Sequence, residues 1–177
     1  PTGTGTEGTD YSTISDITIS AGDTTGTVSF TPTNDSTYEG SETAIVAITG
    51  VSGGGASESG TQSTTITITD DESAPTVTLS AASSSIVENS GSAIVLTATL
   101  SSATTADVTV SISTSGAASE GSDYATISDI TISAGSTTGT TNFTPTNDST
   151  SEDTEAAVIA ISGVSGGSAT ESGTQSV

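Results

Sequence analysis

The sequence predicts an all-β protein made of two antiparallel β-sandwiches in tandem. Thr, Ser, Gly, Val, Ile and Ala dominate the 177 residues, which favours strands joined by tight turns. Short segments alternate apolar and polar residues, as half-buried strands do. The chain also repeats itself, since residues 1–64 align with residues 114–177 without a gap and with 44 identical pairs. About seven short strands in a repeat of this length are typical of an antiparallel sandwich.

In the first copy of the repeat, the alternating pattern predicts four strands. They contain Ile17–Ile19, Val28–Phe30, Ala44–Ile48 and Ile66–Ile68. The run Gly53-Gly54-Gly55 marks a turn before the last of them. That last strand ends in Asp70-Asp71-Glu72, and Ser73-Ala74-Pro75 is typical of a short linker.

A new unit follows this linker. Its predicted strands contain Val77–Leu79, Ile94–Leu100, Val108–Ile112, Ile130–Ile132, a segment ending at Phe143, and Ala157–Ile161. The second copy stops at Val177, where the first copy enters its Ile66–Ile68 strand. We therefore expect residues 1–73 to form a repeat without its first strands, and residues 74–177 to form a repeat without its last strand.

The charge composition argues against several classes of function. The chain has 21 acidic residues, no Lys, Arg or His, and a formal charge of -21. Nucleic acids and anionic membrane surfaces are recognised by cationic side chains, so neither is an expected partner. No apolar run approaches the roughly 20 residues of a membrane span, so membrane insertion is not expected. Without Cys or His, and with no Trp, we do not expect an enzyme.

One acidic motif occurs in both copies, between two predicted strands. It is Thr-Asn-Asp-Ser-Thr, at residues 33–37 and 146–150, and carboxylates follow four and seven residues after its Asp. Calcium prefers carboxylate and other oxygen ligands, and a loop with this spacing can wrap an ion. Since no side-chain cation neutralises the loops, they predict calcium sites. The alternative is a solvated acidic surface, as in salt-adapted proteins.

The order of the motifs resembles the Calx-beta domain family. Glu-Gly-x-Asp-Tyr, at residues 7–11 and 120–124, precedes a strand pair and an Asn-Asp-x₃-Glu-x₂-Glu loop. An apolar strand and a last strand ending in Asp-Asp-Glu complete the pattern. The family includes regulatory domains of sodium–calcium exchangers and tandem modules of bacterial surface and adhesive proteins. The resemblance implies seven-stranded, immunoglobulin-like sandwiches that bind calcium in loops at one end.

The resemblance also implies which carboxylates bind calcium. In the first unit the matching positions are Asp10, Asp35, Glu39, Glu42, Asp70, Asp71 and Glu72. In the second unit they are Glu88, Asp123, Asp148, Glu152 and Glu155. The exchanger domains have more consecutive acidic residues where this chain has Asn34 and Asn147, which implies fewer or weaker ions. The first unit has no counterpart of Glu88, and the second has no closing Asp-Asp-Glu.

Other residues of these motifs have structural interpretations. Tyr11 and Tyr124 fit core or corner positions. The remaining loop carboxylates are expected to be solvated rather than to bind metal. They are Glu7, Glu58, Asp107, Glu120 and Glu171.

Three functions fit these observations. The first is a calcium-stabilised structural module of a long extracellular surface or fibre-forming protein, with further tandem repeats or self-association. In one variant, neighbouring subunits donate the strands that each sandwich lacks. The second is a calcium-dependent adhesin that binds a glycan or protein, although scarce aromatic residues leave little surface for sugar stacking. The third, a calcium-sensing regulatory domain, fits least well because the chain has no basic residue.

Overall fold

The computed structural model describes residues 1–177. The fold is all-β, as the sequence predicts, with one 3₁₀ turn at Glu88–Ser90. None of its helical segments has the length and apolar character that crossing a membrane requires. The strands are β1 (Thr2–Gly3), β2 (Thr37–Tyr38), β3 (Glu42–Ala47), β4 (Ser63–Ile68), β5 (Thr76–Ala81), β6 (Ile94–Leu100), β7 (Ala103–Thr104), β8 (Val108–Gly116), β9 (Ile130–Ile132), β10 (Thr138–Phe143), β11 (Ala157–Ser165) and β12 (Thr170–Glu171).

The chain forms two compact units. The first comprises Pro1–Asp35 and Gly40–Asp71, and the second comprises Ser36–Glu39 and Glu72–Val177.

The second unit is a sandwich of two sheets around one core. One sheet has the strand order β10-β6-β5-β12 and the other has the order β11-β8-β9. Both sheets contribute buried side chains, such as Leu96 of β6, Val110 of β8 and Ile130 of β9. Along β6 the inward residues Ile94, Leu96, Ala98 and Leu100 are all buried, as the alternating pattern predicts.

The β9–β10 hairpin of the second unit joins its two sheets. β9 pairs with β8 in one sheet, and β10 pairs with β6 in the other. The two arms of the hairpin approach closely because β10 carries glycine at position 139. A Cβ atom there would collide with the carbonyl oxygen of Thr131 on β9. The small residue therefore allows the chain to cross from one sheet to the other.

The first unit contains one antiparallel sheet with the order β1-β3-β4. β3 and β4 pair along six residues each. Tyr11 is 1% exposed and packs against Phe30, with ring centroids 4.8 Å apart. Tyr124 and Phe143 make the same contact in the second unit, also at 4.8 Å. The predicted core role of both tyrosines is confirmed.

The prediction of strands at Ile17–Ile19 and Val28–Phe30 is wrong. Both segments are irregular, and the two Ile side chains of the first are 55% and 56% exposed. The corresponding residues of the second unit, Ile130–Ile132, form β9 and bury both Ile side chains. In the second unit, β9 pairs with β8 and β10 pairs with β6. The first unit has no counterpart of β6, and only β1 stands in place of β8. Strand formation depends on pairing and packing more than on propensity, so the same sequence stays irregular without partners.

Candidate metal centre

Two predicted ligands of the first unit lie together. Asp10 and Glu42 place carboxylate oxygens within 4.8 Å of one another. Asp10 is only 9% exposed and precedes the buried Tyr11, whereas Glu42 begins β3. Oxygens bound to one calcium ion lie about 2.3–2.6 Å from it and so within about 5 Å of one another. The spacing therefore suits a single divalent cation.

In both repeats, hydrogen bonds join the Asp-Tyr turn (residues 7–11 and 120–124) to the start of the acidic loop (residues 33–42 and 146–155). The N–H of Thr33 donates to the carbonyl of Asp10, and the N–H of Thr146 donates to the carbonyl of Asp123, at 2.9 Å in each case. The two Asp side chains also shape their own turns. In both, Oδ2 accepts the backbone N–H of the residue four positions earlier, at 2.5 Å. Each carboxylate is thereby held in place by its own backbone.

A second acidic group follows β4. Its members in the first unit, Asp70 and Asp71, also have carboxylate oxygens within 4.8 Å of one another. Because β4 runs antiparallel to β3, its end returns to the start of β3 and the acidic loop. The N–H of Gly40 donates to Oδ2 of Asp70 at 2.6 Å, which links the loop to this segment. The last strand therefore ends beside the acidic loop, as a shared calcium site requires.

In the second repeat, four predicted ligands act electrostatically on the fifth, Glu152. Partial desolvation, followed by the charges of Asp123, Asp148, Glu155 and Glu88, raises the pKa of Glu152. These charges come from the 3₁₀ turn, the Asp-Tyr turn and the acidic loop. The fold thus brings carboxylates that are distant in sequence into one region of negative potential.

Glu88 also lines a pocket of about 240 Å³ in the second unit. Asn89, Thr144 and Asn147 contribute to the same pocket. Carboxylate, amide and hydroxyl oxygens are ligands that calcium accepts. The pocket therefore extends the oxygen-rich surface around the predicted site.

Asp35 and Asp148 lie outside the two tight groups. Oδ1 of Asp148 accepts the N–H of Thr150 at 2.6 Å and so forms a turn within the acidic loop. Both tight groups contain carboxylates of residues 1–72. For all twelve carboxylates, the role of calcium ligand stays a prediction.

The remaining loop carboxylates, which are expected to be solvated rather than to bind metal, also make hydrogen bonds within the chain. Glu7, Glu58, Asp107, Glu120 and Glu171 each accept a hydrogen bond from the chain. Glu58 and Glu171 show the pattern, since each accepts the N–H of the Gln four residues later, at 2.7 and 2.6 Å. The occurrence of this Glu–Gln pair in both copies of the repeat was a signal of a local structural role.

Asp129 is a further structural carboxylate that the sequence analysis did not single out. It accepts the hydroxyl of Ser111 at 3.0 Å and the N–H of Ile112 at 2.9 Å. Asp129 directly precedes β9, and both donors belong to β8. It therefore ties the start of β9 to its neighbouring strand. The sequence feature that could have indicated this structural role is the segment Asp-Ile-Thr-Ile, which occurs in both copies of the repeat.

The family model for the Calx-beta domain matches residues 2–72 and, again, residues 70–175. The chain belongs to the Calx-beta domain family. No curated protein and no solved structure matches it. Calx-beta domains are non-catalytic, calcium-binding modules that occur in extracellular or membrane proteins. The resemblance inferred from the sequence motifs is confirmed, and the chain carries acidic groups that could hold a metal ion.

Proposed function

We propose that this Calx-beta chain is a calcium-stabilised structural module of a long extracellular surface or fibre-forming protein. The proposed repeats span residues 1–73 and 74–177, and the proposed ligands are the twelve carboxylates named above. One observation supports the proposal most strongly. The carboxylates of Asp10 and Glu42 lie within 4.8 Å of one another in a chain without a single Lys, Arg or His.

A group of this kind is electrostatically costly without a cation. Two like charges about 4 Å apart repel by about 1 kcal/mol in water and by about 4 kcal/mol near a protein surface. In most proteins a nearby Lys or Arg offsets such repulsion, but this chain has neither and carries a charge of -21. A divalent cation would reverse the sign of the interaction. It would also cross-link the Asp-Tyr turn and β3.

An ion that binds only the folded state stabilises it by about 2.7 kcal/mol at a hundredfold excess over its Kd. Extracellular modules bind calcium at about 10⁻⁴–10⁻³ M, which is consistent with this location.

Thermal unfolding in millimolar calcium, in magnesium and in chelator tests the proposal, with isothermal titration for stoichiometry. We expect a calcium-dependent rise in Tm, at least one ion per repeat and little response to magnesium. Glu152→Gln should weaken calcium binding by the second repeat. Asp153→Asn is the matched control, because Asp153 is an exposed neighbour in the same loop and is not a predicted ligand.

Two results would contradict the proposal. If calcium and chelator give the same Tm and titration detects no binding, the acidic loops are a solvated surface. If Glu152→Gln and Asp153→Asn weaken binding equally, calcium responds to net charge rather than to a defined site.

A further inference from the structure

The pocket of about 240 Å³ in the second unit has two walls that are distant in sequence. One wall is the segment 88–92 and the other is the segment 144–147. The lining side chains belong to Glu88, Asn89, Ser92, Thr144, Pro145 and Asn147. Only Glu88 is a predicted calcium ligand, so the proposed metal site gives the other five no role.

Hydrogen bonds within the chain hold both walls in place. In the first wall, the N–H of Ser90 donates to the carbonyl of Val87 at 3.0 Å, and Gly91 ends the 3₁₀ turn with a φ of 65°. In the second wall, the carbonyl of Thr144 accepts the N–H of Ala125 at 2.9 Å. The pocket is therefore preformed, and a ligand does not have to order its walls on binding.

The polar side chains of the pocket have hydrogen-bonding capacity that the protein does not use. Two carboxamides and two hydroxyls line it, from Asn89, Asn147, Ser92 and Thr144. None of these four side chains hydrogen bonds to another residue of the chain. Each carboxamide can donate two hydrogen bonds and accept others, and each hydroxyl can do both. The pocket thus offers donors and acceptors together.

This combination selects a neutral ligand that is rich in hydroxyl groups. An anion would be repelled by the carboxylate of Glu88, and the chain has no side-chain cation to attract one. A metal ion would use only the oxygen acceptors and leave the N–H groups of both carboxamides unpaired. A sugar hydroxyl both donates and accepts, so it can pair with all four groups. The ring of Pro145 adds an apolar surface for the C–H groups of a sugar ring.

We propose that this pocket binds one neutral sugar ring, as a monosaccharide or as the terminal unit of a glycan, by direct contact with Asn89, Ser92, Thr144 and Asn147. Pockets for drug-sized ligands measure about 300–1,000 Å³, so the smaller volume here suits a single ring. A ligand of this size binds with a Kd of roughly 1–10 mM. This inference goes beyond the proposed structural role and does not depend on calcium binding.

NMR titration of the 177-residue chain with glucose, galactose, mannose and N-acetylglucosamine tests the proposal, in chelator and again in calcium. We expect at least one sugar to shift the side-chain amide signals of Asn89 and Asn147 saturably, with the same Kd in both conditions. The signal of Asn142, an exposed residue of β10 outside the pocket, should not move. Glucuronate, which carries a negative charge, should bind at least about tenfold more weakly than glucose.

Matched substitutions locate the binding site. Asn89→Ala should raise the Kd about fivefold, because it removes one hydrogen-bonding group from the pocket. Asn142→Ala is the control and should leave the Kd unchanged. Both side chains are exposed, so neither substitution should change the Tm of the second unit.

Three results would overturn the proposal. The first is the absence of saturable shifts with all four sugars in both conditions. The second is an equal effect of Asn89→Ala and Asn142→Ala on the Kd. The third is binding only in calcium, since the ion would then bridge the sugar to the protein. Because the expected binding occurs in chelator, a Tm that does not respond to calcium would contradict the proposed function and leave this inference standing.

Discussion

Ile130 and Ile17 allow matched substitutions in identical local sequence. Replacing Ile130 by Ala removes three carbons from a fully buried side chain. At about 0.8 kcal/mol per buried CH₂, the lost transfer free energy is about 2.4 kcal/mol. The residual cavity brings the expected loss of unfolding free energy to about 3–4 kcal/mol. Ile17→Ala should cost less than about 1 kcal/mol, because Ile17 is already 55% exposed.

Urea unfolding, followed by NMR signals of the Tyr11 and Tyr124 rings, measures the two units separately. The Tyr124 transition should shift strongly for Ile130→Ala, and Ile130→Val should give about a third of that loss because it removes one carbon. The Tyr11 transition should change little for Ile17→Ala. Equal losses for the two Ala variants, each in its own unit, would refute the inference that partner strands rather than local sequence decide burial.

Two further predictions concern charge and close packing in the second unit. In chelator, stability should fall as the pH rises above the ordinary Glu pKa of 4.5, because a carboxyl group whose pKa is raised by folding favours the folded state when protonated. Across this pH range, the Tm of Glu152→Gln should depend less on pH than the Tm of the unsubstituted chain. An equal pH dependence would contradict the raised pKa of Glu152. Gly139→Ala should destabilise the unit by about 1–3 kcal/mol in urea, because its Cβ would meet the carbonyl of Thr131. Gly163→Ala is the control, since the only neighbour its Cβ meets is Ser111 at 4.0 Å, and equal losses would exclude the collision as the cause.

The sequence alone was sufficient for much of the fold. Alternation along Ile94–Leu100 predicts β6, and the inward residues of that strand are buried. The repeat offset places Tyr124 in the role of Tyr11, and both rings pack against Phe. These features are local, because period-2 patterning and turn residues act over a few positions. The absence of side-chain cations is likewise a property of composition, and it limits the partners without any structure.

Only the tertiary structure decided which patterned segments become strands and which carboxylates meet. Residues 13–22 and 126–135 have one sequence, yet only the second copy forms a strand. Asp10 and Glu42 are 32 positions apart and approach because β3 follows a loop that hydrogen bonds tie to the Asp-Tyr turn. Asp129 gained its role from two donors on β8. In each case the deciding free energy comes from pairing and contact between distant segments, which no local pattern of residues specifies.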